Sequence, residues 1–280
     1  MIFPRPKNIG SILAPAERVE LSDVEVKKPM AYLAANLQGI GKRENQEDSF
    51  AFGNNLDYSS VCAGGLLAVV ADGMGGLAGG KQASETATAT IVRDYRSFDL
   101  QGDLSRQLEQ AVFHANDAVI SALNGAGGST VVATLIYDEK LYYCSVGDSY
   151  LFLLRDRTLI RLNRSHNVET QTVLDAIYDG NLDPSAGANA AQKEAVTHFL
   201  GLDGLDETDS FRCPLKLVPG DVILLCSDGV GGVFTYPVME KCLSHGVPAD
   251  MCAALEAAVR ARNLQYQDNY TALVIQCRKP

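Results

Sequence analysis

The sequence predicts an α+β fold layered around one core, and three observations carry that prediction. The 280-residue chain is 46% hydrophobic and 21% charged, enough length and apolar content for one large domain with a sizeable interior. Apolar runs and helical patterns follow one another in the order β–α–α–β-meander–long loop–β–α–α–β. The strand runs of the meander are joined by turns of a few residues, which only antiparallel neighbours allow.

Residues 1–30 read as a leader, with early prolines and the alternation Arg18-Val19-Glu20-Leu21 suggesting at most an edge strand. A single domain is expected over 31–280. A strand from Ala31 to Ile40 enters the polar turn Gly41–Asp48, and Ser49–Phe52 resumes a strand. Gly65–Ala71 is a continuous apolar run, the pattern of a buried strand, ending on Asp72 and then glycines. Ala78–Tyr95 reads as a helix whose small residues Ala83, Ala87 and Ala89 suit close packing on a sheet. A second helix over Leu104–Leu123 carries one stripe (Leu104, Leu108, Val112, Val119, Leu123) with Asp103 as N-cap. The meander is Ser129–Tyr137, Leu141–Val146, Tyr150–Arg155 and Leu159–Leu162. Residues 167–197, with a short helix over Glu169–Tyr178 and a polar stretch Asn181–Ala191, form a loop long enough to be a functional flap. The chain closes with a strand Val222–Cys226, helices near Pro237–Ser244 and Ala249–Leu264, and a strand Thr271–Cys277.

The formal net charge of −10 argues against nucleic acid as a partner, since phosphate neutralisation needs a basic footprint. An acidic protein that handles phosphorylated molecules must bring positive charge locally, as metal ions or placed arginines. Seven cysteines without a C-x-x-C pair read as reduced core residues of a cytosolic protein. Neither a signal peptide nor a run of 18 apolar residues is visible, so no membrane association is expected.

The chemistry concentrates in acidic turns: Glu47-Asp48, Asp72-Gly73, Gly147-Asp148-Ser149, Asp228-Gly229 and Asp268-Asn269. Asp72, Asp148 and Asp228 each follow an apolar strand run, and Asp268 precedes one, so carboxylates far apart in sequence converge at strand tips of a shared sheet. An Asp-Gly at such a tip is, taken singly, a turn; several together repel unless cations neutralise them. Oxygen ligands without His or Cys select Mg²⁺ or Mn²⁺, and the four histidines show no ligand spacing. Two such ions, roughly 3.5–4 Å apart, can acidify a water and clamp an in-line displacement at phosphorus. Arg43, four residues before Glu47, is placed to bind two phosphoryl oxygens.

In this combination the chain resembles the metal-dependent Ser/Thr phosphatases of the protein phosphatase 2C type, in their bacterial form, over about residues 33–278. The motifs appear in the family's order: Arg43-x-x-x-Glu47-Asp48, Asp72-Gly73-Met74-Gly75-Gly76, Gly128-Ser129-Thr130, Gly147-Asp148-Ser149, Phe199-Leu200-Gly201, Ser227-Asp228-Gly229-Val230 and Asp268-Asn269-Tyr270-Thr271. The resemblance implies a four-layer α/β/β/α sandwich, two central antiparallel sheets flanked by helix pairs. It implies two Mn²⁺ or Mg²⁺ ions bridged by Asp72, with the Gly73 carbonyl on one. Asp228 and Asp268 would ligate the first ion with Asp48 close by, Glu47 would hold waters of the second, and Arg43 would take the substrate phosphate. Attack by a metal-bridging hydroxide, without a phosphoenzyme, is implied for phosphoserine and phosphothreonine in proteins, opposing a Ser/Thr kinase. The implied form is monomeric, free-standing and cytoplasmic.

Three departures stand out. Met74 replaces a histidine that many eukaryotic members carry, which leaves protonation of the leaving group to water. Ser165-His166 replaces the commoner Asp-His, a changed loop contact. Gly232 replaces an aspartate that helps bind a third ion, so a third ion at Asp148 is expected to bind weakly. A catalytically weak phosphoprotein-binding regulator and a small-molecule phosphohydrolase are the alternative readings.

Overall fold

The computed structural model describes residues 30–54, 58–75, 79–180 and 192–279. The leader, the polar stretch at 181–191 and the glycine Gly76 lie outside them. Among the described residues, twelve strands and seven helices follow in chain order. They are β1 Ala31–Gly39, β2 Asp48–Phe52, α1 Tyr58–Gly64, β3 Leu66–Met74, α2 Gly79–Tyr95, α3 Leu104–Leu123, β4 Gly128–Ser129, β5 Val131–Tyr137, β6 Lys140–Val146, β7 Tyr150–Arg155 and β8 Thr158–Arg161. Then come α4 Val168–Tyr178, β9 Asp209–Ser210, β10 Leu215–Lys216, β11 Val222–Cys226, α5 Asp228–Gly231, α6 Tyr236–Leu243, α7 Pro248–Arg262 and β12 Tyr270–Arg278.

Two antiparallel sheets form the centre. One has the order β1-β12-β11-β7-β8; the other runs β10-β6-β5-β3-β2, with β4 on β3 and β9 on β6. Strands buried on both faces explain the continuous apolar runs. Along β3, Leu67, Val69 and Ala71 face α2 and α3, while Leu66, Ala68 and Val70 face the other sheet. Along β11 and β12, Ile223, Leu225, Leu273 and Ile275 fill the space between the sheets, and Val222, Leu224, Ala272 and Val274 pack against α6 and α7. Three apolar interfaces therefore separate four layers, α2–α3, sheet, sheet, α6–α7, which is the sandwich the resemblance implies.

Local signals place the helices. Asp103 caps α3 by accepting a hydrogen bond from the Arg106 amide at 3.1 Å, and Asn124 ends it in the left-handed region at φ 47°. Pro248 opens α7 at its first turn, where the missing amide costs nothing.

Four local readings need correction. The meander is not one ribbon: β5 and β6 lie in one sheet and β7 and β8 in the other, so Gly147-Asp148-Ser149 is a crossover between sheets. Strand β3 does not stop at Asp72 but continues through Gly73 and Met74, which pair with Ser129 and Gly128. Asp228-Gly229 opens the one-turn helix α5 instead of a simple turn. Helix α1 carried no stripe to betray it, since Val61 is its one buried large apolar side chain among those described. All seven cysteines are free; Cys62 and Cys213 are exposed and so are not core residues.

Candidate metal centre and active site

The site forms where strands of both sheets run out together. Asp72 sits on β3 in register with Asp48 on β2, so these two carboxylates are cross-strand neighbours. Asp228 starts α5 directly after β11, Asp268 precedes β12, and Asp148 stands in the crossover from β6 to β7. Arg43, Glu47, Asp72, Gly73, Asp148, Asp228 and Asp268 all line one cleft of about 740 Å³. Asp48 lies beneath that wall, 4% exposed, with Oδ2 accepting from the Ser227 hydroxyl at 2.8 Å.

Close backbone approach dictates the glycines beside the aspartates. A Cβ on Gly73 would stand 2.1 Å from the Gly80 carbonyl oxygen of α2, and one on Gly229 would stand 1.9 Å from that of Asn269. Asn269 ties the parts together: its Oδ1 accepts from the Glu47 amide at 2.7 Å, and its Nδ2 donates to the carbonyls of Ile40 and Asn45 at 2.9 and 3.0 Å. His166 fixes the Asp148 crossover from behind. Its Nδ1 accepts from the Gly147 amide at 3.0 Å and its own amide donates to the Gly147 carbonyl at 2.8 Å.

The electrostatics are those of crowded, buried and half-buried acids. Burial, and then the charges of Asp148, Asp268 and Asp48, push the Asp228 carboxyl up to about 7. Burial, followed by Asp48, Asp228, Asp148 and Asp268, holds the Asp72 carboxyl well above the usual range. Burial also raises Asp48 and Asp148. Asp72 stands directly across from Asp48 in the strand pair, and Asp48, Asp72 and Asp228 all act on one another's protonation. Among the described residues, no three His, Cys, Asp or Glu side chains surround a common point as a finished cation cage. The donor set nonetheless fits hard divalent ions. Every candidate ligand is oxygen, and two of the four buried side-chain atoms lacking a hydrogen bond among the described residues are Asp48 Oδ1 and Asp228 Oδ1.

Arg43 departs from expectation in one respect. Its Nη2 pairs with Asp268 Oδ2 at 2.5 Å, so the guanidinium expected to be open to phosphate is bound to an expected metal ligand. A second arginine, Arg161 at the end of β8, also lines the cleft and was missed in the sequence. Nothing in its strand pattern marks it, because only the crossover between sheets brings β8 to this edge.

A sequence profile described as "Protein phosphatase 2C" matches residues 40–265. The chain belongs to the protein phosphatase 2C family. The serine/threonine phosphatase stp of Listeria welshimeri is 28% identical over 249 residues, covering 84% of this chain and 91% of that one. The serine/threonine protein phosphatase PstP of Mycobacterium tuberculosis is 30% identical over 228 residues, 79% of this chain and 42% of the longer relative. A crystal structure of the PstP catalytic domain in complex with two manganese ions superposes with a TM-score of 0.68 at 25% identity, covering 89% of this chain and 99% of that one. The phosphatase is thus a metal-dependent hydrolase of phosphoric monoesters, and the α/β/β/α sandwich is its family fold.

Proposed function

We propose that this phosphatase hydrolyses phosphoserine and phosphothreonine in proteins at the cleft between its sheets, using two Mn²⁺ or Mg²⁺ ions. Asp72 would bridge the ions, Asp228 and Asp268 would hold the first with Asp48 behind, and Glu47 and the Gly73 carbonyl would serve the second. The observation that carries this reading is the convergence of Asp48, Asp72 and Asp228 with orphaned buried carboxylate oxygens. When bound, such ions supply Lewis-acid polarisation of the phosphoryl group and an acidified water.

The chain's own residues do the remainder. Burial, then the neighbouring acids, raises Asp72 and Asp228, and cations held there would take the place of the protons these carboxyls carry. The Arg43 guanidinium, which here pairs with Asp268, is the group on the cleft wall that would grip two phosphoryl oxygens.

The domain is taken as 31–280 with 167–197 as its flap. Opposition to a Ser/Thr kinase, a monomeric state and a cytoplasmic location complete the proposal. The relatives named as serine/threonine phosphatases support phosphoprotein as the substrate class. The test is turnover of p-nitrophenyl phosphate and a phosphothreonine peptide with Mn²⁺, Mg²⁺ or EDTA, beside Asp228→Asn. Activity present with metal, abolished by EDTA and reduced at least about 10²-fold in the variant is the expected result. A folded, metal-loaded protein with no turnover would leave a phosphoprotein-binding regulator as the better reading.

A further inference from the structure

One guanidinium in the cleft is held entirely by neutral partners. Arg161 donates from Nη2 to Ser165 Oγ at 2.7 Å and to the Asp148 carbonyl at 3.5 Å, and from Nε to Asn163 Oδ1 at 3.4 Å. Its carbon Cζ lies 4.1 Å from the Tyr150 ring centroid, a cation–π contact. Among the described residues it forms no ion pair, whereas Arg43 pairs with Asp268, Arg155 with Asp221 and Arg164 with Glu207. The restraint is three-sided, so the fork is pre-organised while its charge stays uncompensated.

Position gives this charge its meaning. Arg161 shares the cleft wall with Asp148 and Gly232 on the metal side and with Ser165, Asn167, Glu169 and Thr170 at the base of the flap. Glu169, paired with Lys193 at 3.4 Å, and Glu194 make the flap base acidic. Along the flap-base side of that wall Arg161 is the cation in no ion pair among the described residues. Arg43 beside Asp268 already provides for the reacting phosphoryl group.

We propose that Arg161 is a specificity residue that binds an anionic side chain neighbouring the phosphorylated residue of the substrate. The inference rests on the phosphatase reading of this cleft. A planar fork suits a carboxylate or a second phosphoryl group, and a charge-assisted bidentate contact in a partly buried wall corresponds to about tenfold in affinity.

The experiment uses the full-length, Mn²⁺-loaded enzyme and three substrates. Two are phosphothreonine peptides identical except for flanking aspartates or asparagines; the third is p-nitrophenyl phosphate. Wild type is expected to favour the aspartate peptide through KM. Arg161→Ala should lose about tenfold in kcat/KM on that peptide, in KM more than kcat, with little change on the other two substrates. Arg161→Lys should restore part of the preference as a point charge. Equal losses on all three substrates would overturn the proposal, because Arg161 would then serve the reacting phosphate or the fold. Absence of any preference in wild type would overturn it as well. Failure of the phosphatase reading itself shows separately, as no wild-type turnover of p-nitrophenyl phosphate.

Discussion

At the scale of single residues, buried acids in this molecule fall into two kinds. Asp221 is 1% exposed and fully satisfied: Arg155 donates to both its oxygens at 2.8 and 2.7 Å, and the Val218 amide donates at 2.8 Å. Asp228 is half-buried beside other acids, with its buried Oδ1 left over. The first is architecture, since a paired buried charge is stable only with its partners. The second needs a cation, and the glycine after it is equally constrained. Gly229→Ala would drive a methyl into the Asn269 carbonyl, and a destabilisation of about 1–3 kcal/mol in urea unfolding is expected. Gly232→Ala is the control. Its φ is −80° and its Cβ would stand 3.0 Å from the Asp228 carbonyl oxygen, a milder contact, so a smaller loss than for Gly229→Ala is expected.

Among the elements, the crossover from β6 to β7 matters most to the site, because it carries Asp148 from one sheet to the other. It is held by two hydrogen bonds with His166, which is 4% exposed and ties on to the flap through the Thr197 amide, a donor to its carbonyl at 2.9 Å. Burial lowers the His166 imidazole to about 4. The neutral ring is the one that folds in, so its contribution is present above its unfolded value near 6.5 and is lost as pH falls from there through about 4. His166→Ala should cost about 1–3 kcal/mol at pH 8, read from denaturant unfolding, by orphaning the Gly147 amide. The same variant should lose less stability than wild type on acidification across that window. An identical acid response in both proteins would show that the histidine does not govern it.

For the whole molecule, metal and proton compete for one site, and the competition sets stability. The Asp228 carboxyl is raised from its ordinary 3.8 to about 7 in the metal-free fold. The native state then holds a proton that the unfolded chain has released, so this contribution is present below 3.8 and fades as pH rises through about 7. Bound cations remove that penalty by replacing the proton. The gain in Tm on adding Mn²⁺ to EDTA-stripped protein should therefore grow from pH 5 to pH 8, followed by calorimetry. In Asp228→Asn the growth should be smaller. A metal-induced gain independent of pH would contradict a site built on protonated, mutually repelling carboxyls.

The sequence by itself determined the long elements and the identity of the acids. Strands buried on both faces must be apolar throughout, as in Leu66–Ala71 and Val222–Cys226, and Asp103 and Pro248 announce the helices that follow them. Such signals are local, and they survive in a one-dimensional reading because each depends on the period of a single element. The tertiary structure decided what those elements do together. Which sheet a strand joins depends on partners up to a whole chain away, so the split of the meander, the pairing of Asp48 with Asp72 and the arrival of Arg161 beside Asp148 carry no local mark. The Arg43–Asp268 pair is of the same kind, because it joins a turn near the start of the domain to the tip of its last strand. Charge placement in this cleft is a product of strand order, and strand order is set by packing across three apolar interfaces, not by the run of residues in any one of them.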